Sequence, residues 1–313
     1  MPKDGRDEVH RNYHVHVPEK FNLDISTSGG DMIVDGVTGT IELNTSGGDI
    51  EMTKIAGQCR VRTSGGDLIF KDISGALEAH TSGGDVDLTD IFAETNVQTS
   101  GGDITLMNCK NTVSLQTSGG DIDIRQVAGK LAAATSGGDI SVSGCQGQTS
   151  LSTSGGDIQM SKIGGQINAS TSGGDIDGSD FGDAINVRTS GGEISLTNVR
   201  GAATAFTSGG DIALEITLTD FTKPHAIQLE TTGGSIELTL PAKFPASITA
   251  EIRLDRRDSI LKRYDIYSDF PLTKAEPSET EGRILRSTGE INGGGDAVIL
   301  KTRGGDIRIK KGL

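Results

Sequence analysis

Tryptophan is absent from this sequence, aromatic residues of any kind make up 4%, and 313 residues hold only seven prolines and three cysteines. So few rings point to a narrow core of aliphatic side chains, without room for large aromatic groups. No window places apolar residues at i, i+3 and i+4, as an amphipathic helix requires. No apolar run approaches the ~20 residues that cross a bilayer as a helix. The opening Met-Pro-Lys-Asp-Gly-Arg-Asp has no apolar signal core, so an exported form would carry its signal or anchor outside this chain. A basic face is also missing: the net charge is −14, which argues against nucleic acid as a partner.

What the chain has is a repeat. Thr-Ser-Gly-Gly-Asp/Glu recurs eleven times at an interval of 18 residues, its Thr at 27, 45, 63, 81, 99, 117, 135, 153, 171, 189 and 207. A fixed period without insertions means one structural unit stacked along an axis. The eleven acidic residues of the motif supply most of the net charge, so the acidity belongs to one edge of the stack.

With Thr as position 1, position 6 runs Met32, Ile50, Leu68, Val86, Ile104 and onward, and position 8 runs Val34, Met52, Phe70, Leu88, Leu106. Position 11 is apolar in the first ten units, and positions 15 and 17 hold pairs such as Ile41/Leu43 and Val113/Leu115. Apolar residues two apart with polar residues between them mark short strands that bury one face. Two or three strands of four to five residues are expected per unit. One turn is Ser-Gly-Gly, whose glycines would permit positive φ. A second lies near position 13, glycine in seven of the first ten units.

Strands so short are stable only when stacked in register, about 4.8 Å from coil to coil. The fold expected is therefore all-β: a single-stranded parallel β-solenoid (β-helix), right-handed, with 18-residue coils and a length of about 50 Å. The motif Thr shares the inward parity of positions 15 and 17, which predicts a buried Thr ladder bonded to turn backbone. Inward Thr, with outward columns of mixed charge, excludes a flat ice-binding array. Cys59, Cys109 and Cys145 also fall at inward positions. Cys109 and Cys145 share a column two coils apart, about 9–10 Å by the coil step and too far to bridge. They read as apolar fillers.

Three segments follow. Residues 1–26 supply N-terminal strands, from Tyr13-His-Val-His-Val17 and Phe21-Asn-Leu-Asp-Ile25. Residues 27–240 form the repeat, which loosens where Thr231 follows Thr207 by 24 residues. Residues 241–313 combine an irregular cap, rich in proline and charge, with closing solenoid strands. The Thr-Ser-Gly-Gly-Asp-Ile units, Asp269-Phe-Pro271, Gly289-Glu-Ile-Asn-Gly-Gly-Gly-Asp296 and Thr302-Arg-Gly-Gly-Asp-Ile-Arg-Ile309 resemble the bacterial β-strand-repeat adhesin family. That family is a domain of unknown function, similar to the head domain of auto-transporter adhesins. The resemblance implies a β-solenoid at the cell envelope or outside the cell, and it carries no catalytic motif onto these residues.

The acidic ladder is the sharpest chemical candidate. Asp49, Asp67, Asp85, Asp103, Asp121, Asp139, Asp157 and Asp175 could form a row of Ca²⁺ sites, since hard cations take carboxylate and carbonyl oxygens. The second turn lacks the Gly-x-Asp of nonapeptide calcium solenoids, however, and the same carboxylates can cap backbone N–H groups of the turns. The capping role is the expectation, with no cofactor required and calcium as the alternative. His10, His14 and His16 have no supporting ligand at metal spacing and fit a polar outer face. A polysaccharide-cleaving β-helix would need a cluster of unlike groups, which the sequence offers only at 253–290. There Asp255, Arg256, Arg257, Asp258, Lys262, Arg263, Tyr264 and Asp265 read more simply as a solvated loop. The expectation is a non-enzymatic adhesin or scaffold whose partners are glycans, envelope proteins or further copies of itself.

Overall fold

The computed structural model describes residues 13–254, 264–275 and 284–312, and every regular element among them is a strand. The chain winds as a parallel β-solenoid of about eleven 18-residue turns. Each full coil contributes two strands, one of six residues and one of four, for example Ile104–Cys109 and Val113–Gln116. Equivalent residues stack in register: Ile104 pairs with Ile122, Leu106 with Ile124 and Cys109 with Val127. The six-residue strands build one sheet and the four-residue strands the other, and their inward residues merge into one core.

Positions 8 and 11 of a coil both point inward, although three residues apart on a flat strand they would face opposite sides. Position 10 resolves the conflict. It adopts left-handed φ in Lys54 (53°), Asp72 (57°), Asp90 (57°), Asn108 (59°), Gln126 (60°), Lys162 (56°), Asp180 (64°) and Asn198 (53°), and in Gly36 and Gly144. Gly, Asn and Asp tolerate this conformation best, and they fill seven of these ten positions. The kink turns the strand around a corner, which is how a coil with only two strands closes on itself.

The Thr ladder is present from Thr45 onward, whereas Thr27 at the end of the stack is exposed. Thr81 Oγ1 donates to the carbonyl of Gly66 in the preceding coil at 2.9 Å and accepts Gly84 N–H at 3.2 Å. The same pair of bonds recurs at Thr207 and, beyond the longer loop, at Thr231. The Gly-Gly pair works differently from expectation, because neither of its glycines has positive φ. Steric approach is the reason for the second. A Cβ on Gly66 would sit 1.9 Å from the carbonyl oxygen of Gly48 one coil below, whereas a Cβ on Gly65 would meet nothing closer than 3.8 Å.

Two further expectations are corrected. The core does admit rings: Phe70, Phe181 and Phe244 are fully buried. Phe181 fits because Gly178 leaves its place in the column empty; a Cβ there would lie 2.4 Å from the Phe181 ring. At the N-terminus, Tyr13–Val17 forms no strand, and the first strand among the described residues is Leu23–Ser26. By the 18-residue period His14 and His16 correspond to the inward Met32 and Val34, positions that polar rings do not fill.

The C-terminal part is strand-built rather than irregular where it is described. After Ile236–Pro241 the chain runs through Ala246–Arg253, Ile266–Ser268, Thr273–Lys274 and Ile284–Ile291, then returns as Ala297–Thr302 and Ile307–Gly312. The two returning strands insert between the last regular coil and the strands that precede them in sequence. Outside them, Ala246–Arg253 and Ile284–Ile291 pair antiparallel and close the end of the core.

Candidate functional site

The carboxylate ladder is the most repetitive polar feature. Asp49 Oδ1 accepts the backbone N–H of Asp67 at 2.8 Å, and the same bond links Asp67 to Asp85, Asp85 to Asp103 and so on to Asp175 and Glu193. Asp31 starts the series with a 3.0 Å bond to Asp49. All eight aspartates proposed from sequence as calcium ligands therefore spend one oxygen on the next coil. Adjacent charges about 4.8 Å apart repel by roughly 1 kcal/mol at the dielectric of water. A hydrogen bond to a charged acceptor contributes about 1.5–3 kcal/mol, so each rung is net stabilising. Among the described residues no group of three or more His, Cys, Asp or Glu converges on a metal position.

The remaining sequence candidates are dispersed. His10, Asp255, Arg256, Arg257, Asp258, Lys262 and Arg263 lie outside the described residues. His14 and His16 are exposed, away from any regular element. Tyr264 packs half-buried against the core, and Asp265 belongs to the ladder as its terminal rung. Cys59, Cys109 and Cys145 are free and buried. Burial pushes the thiols of Cys59 and Cys145 up to about 11, and that of Cys109 above its ordinary value despite the Asn111 backbone bond. Burial and a raised thiol both disfavour the reactive thiolate.

Three features escape sequence reasoning. A shallow groove of about 560 Å³ runs across the outer face of the six-residue strands, where Ser141, Ser143, Ser161 and Ser179 lie between Arg125 and Thr197. Within it burial, then the neighbouring Asp175 and Asp157, raise the Asp177 carboxyl. Second, His225 in the 24-residue unit is buried, with Nδ1 2.8 Å from the Lys223 carbonyl and Nε2 3.1 Å from that of Pro245. Its backbone N–H donates to Asp296 Oδ2 at 2.8 Å, and Phe221 and Phe244 pack edge-on around the ring, tying the loop to the cap.

The third is a cleft of about 520 Å³ in the cap, between Ile266–Ser268, the following residues to Lys274, Ser287 and the return strand Ile307–Gly312. Lys274 bonds Asp265 at 2.8 Å, Arg308 bonds Asp306 at 2.6 Å and Lys310 bonds Glu237 at 2.6 Å around it. Basic residues at 308–311 are visible in the sequence, but the cleft joins segments some forty residues apart, which no local pattern reveals.

Parallel strands stacked in register over one aliphatic core make this a β-solenoid repeat protein. More narrowly, the chain belongs to the family described as Toastrack DUF4097, which matches residues 12–180 and 129–310. That family is a domain of unknown function, so membership fixes architecture and assigns no activity. Comparison with curated proteins and with solved structures gives no match.

Proposed function

We propose that the chain is a non-enzymatic rod at the bacterial cell envelope or outside the cell, acting as an adhesin or scaffold. The observation that carries this reading is the constancy of the coil. Rungs from Asp49 to Asp175 repeat with distances of 2.7–2.8 Å, so each outward column presents nearly the same geometry at every step. Catalysis needs unlike groups gathered once, whereas a periodic face suits a periodic partner. Many weak contacts to a glycan or to an envelope protein then add through effective concentration.

Coil number is the variable to test. Whole units, 99–116 and then 99–134, can be deleted without disturbing register. The full chain and both deletions would be mixed with envelope fractions or purified surface polysaccharide and sedimented. Retention that falls several-fold with each lost coil supports multivalent binding. Retention independent of coil number, or no retention by the full chain, overturns it.

A further inference from the structure

We infer that the cap cleft binds an acidic sugar unit, a hexuronate residue of an envelope or host glycan. The inference deepens the adhesive reading and rests on it for the source of the ligand. Its own support is local. The charged residues lining the cleft are Asp269, Lys274, Arg308 and Lys310, a positive set in a chain whose net charge is −14. Asp269 is already engaged, its Oδ2 accepting Lys311 N–H at 3.0 Å.

The three cations hold carboxylates of the protein only through partly exposed pairs; the side chains of Lys274 and Asp265 are 61% and 43% exposed. Such pairs contribute little, so an incoming carboxylate can share these donors without breaking the fold. Two neutral features narrow the class further. The Tyr267 ring is 50% exposed on the cleft wall, with the Arg308 guanidinium 5.4 Å from its centroid. Ser287, 2% exposed as a residue, also lines the cleft. A serine hydroxyl on a cavity wall can both donate to and accept from a ligand group.

Simple phosphate or acetate would satisfy the cations and leave the ring and the serine idle. A pyranose ring can lie against Tyr267, its hydroxyl can meet Ser287, and its carboxylate can meet Lys274, Arg308 and Lys310. The volume, about 520 Å³, falls in the usual range for small-ligand sites. The cleft lies at the closed end of the rod, so it would provide end-on recognition beside the repeated faces.

The test is a calorimetric titration of the full chain with a glucuronate-containing disaccharide, a neutral disaccharide of equal size, and sodium acetate. Saturable binding of the uronide, roughly tenfold tighter than either control, is expected. Tyr267→Ala and Lys274→Glu should each weaken it by roughly tenfold, while Lys162→Glu, far along the rod, leaves it unchanged. Thermal melting of each variant shows that it is folded. Equal binding of the neutral sugar or of acetate, or insensitivity to both cleft variants, overturns the inference. Protein that sediments with envelopes but does not bind the uronide sinks the cleft alone. Protein that binds the uronide but does not sediment sinks the adhesive reading alone.

Discussion

Asp306 Oδ1 accepts the backbone N–H of Asp265 at 3.0 Å, although 41 residues separate them and Asp265 comes first in the chain. The bond has the same form as those between consecutive coils. From Asp211 the series passes to Ser235, whose N–H donates to Asp211 Oδ1 at 2.7 Å, and Ser235 Oγ then accepts Asp306 N–H at 3.3 Å. The cap thus docks by the repeat's own rule, and the out-of-order strands occupy the positions that two further coils would have taken.

Glu193 is the exception in this series. It donates its N–H to Asp175 at 2.7 Å, but its longer side chain makes no bond to the N–H of Asp211 among the described residues. Glu193→Asp should complete the rung and raise stability by about 1 kcal/mol. Asp121→Ala, which leaves the N–H of Asp139 without its acceptor, should lower stability by about 1–3 kcal/mol. Urea unfolding of the three proteins checks both signs. In the same proteins, millimolar Ca²⁺ or EDTA should leave the melting temperature in place; a rise with Ca²⁺ would restore the cation reading of the ladder.

The two motif glycines should differ sharply when replaced. Gly66→Ala would drive a methyl to 1.9 Å from a backbone oxygen that cannot move without breaking the stack, whereas Gly65→Ala meets its nearest neighbour at 3.8 Å. The first should cost about 3 kcal/mol or more and the second less than about 1 kcal/mol. Equal losses in chemical denaturation would show that backbone conformation, rather than stacking, selects glycine at both places.

The sequence made the solenoid legible because its signal repeats: an inward column read eleven times leaves no ambiguity about parity, and Thr81 or Ile104 could be assigned from spacing alone. The corner at position 10 was also written there, in Gly36, Asp72, Asp90, Asn108 and Asn198, but those residues look like ordinary polar positions until the fold demands a kink. What escaped notice occurs once. His225 meets Pro245 and Asp296, and Ser287 comes to line one cleft with Arg308, only after the chain has doubled back. Such encounters carry no period, and periodicity was the only long-range information available.

Native cysteine chemistry gives a third prediction. With thiols raised to about 11 by burial, Cys59 and Cys145 hold roughly 0.1% thiolate at pH 8. Alkylation by iodoacetamide at that pH should be slow in the folded protein and prompt in urea, with all three cysteines labelled only after unfolding. Rapid native labelling at Cys59 would mean that its coil opens readily.

Acid should loosen the cap only late. Burial alone would raise the Asp265 carboxyl, but the Lys274 hydrogen bond, the Ile266 N–H and the Lys274 charge together hold it below its ordinary value of 3.8. A carboxyl with a depressed folded value contributes stability that is complete above the unfolded value and is lost as pH falls through the folded one. Because Asp265 and Lys274 are both partly exposed, the effect is modest. Cleavage of the cap by an acid-active protease should therefore be unchanged between pH 6 and 5 and increase only below the ordinary carboxylate range. Lys274→Ala should bring that increase to higher pH, since the carboxyl then loses its strongest partner. A cap equally resistant at pH 3 in both proteins would show that the Asp265–Lys274 pair does not hold it.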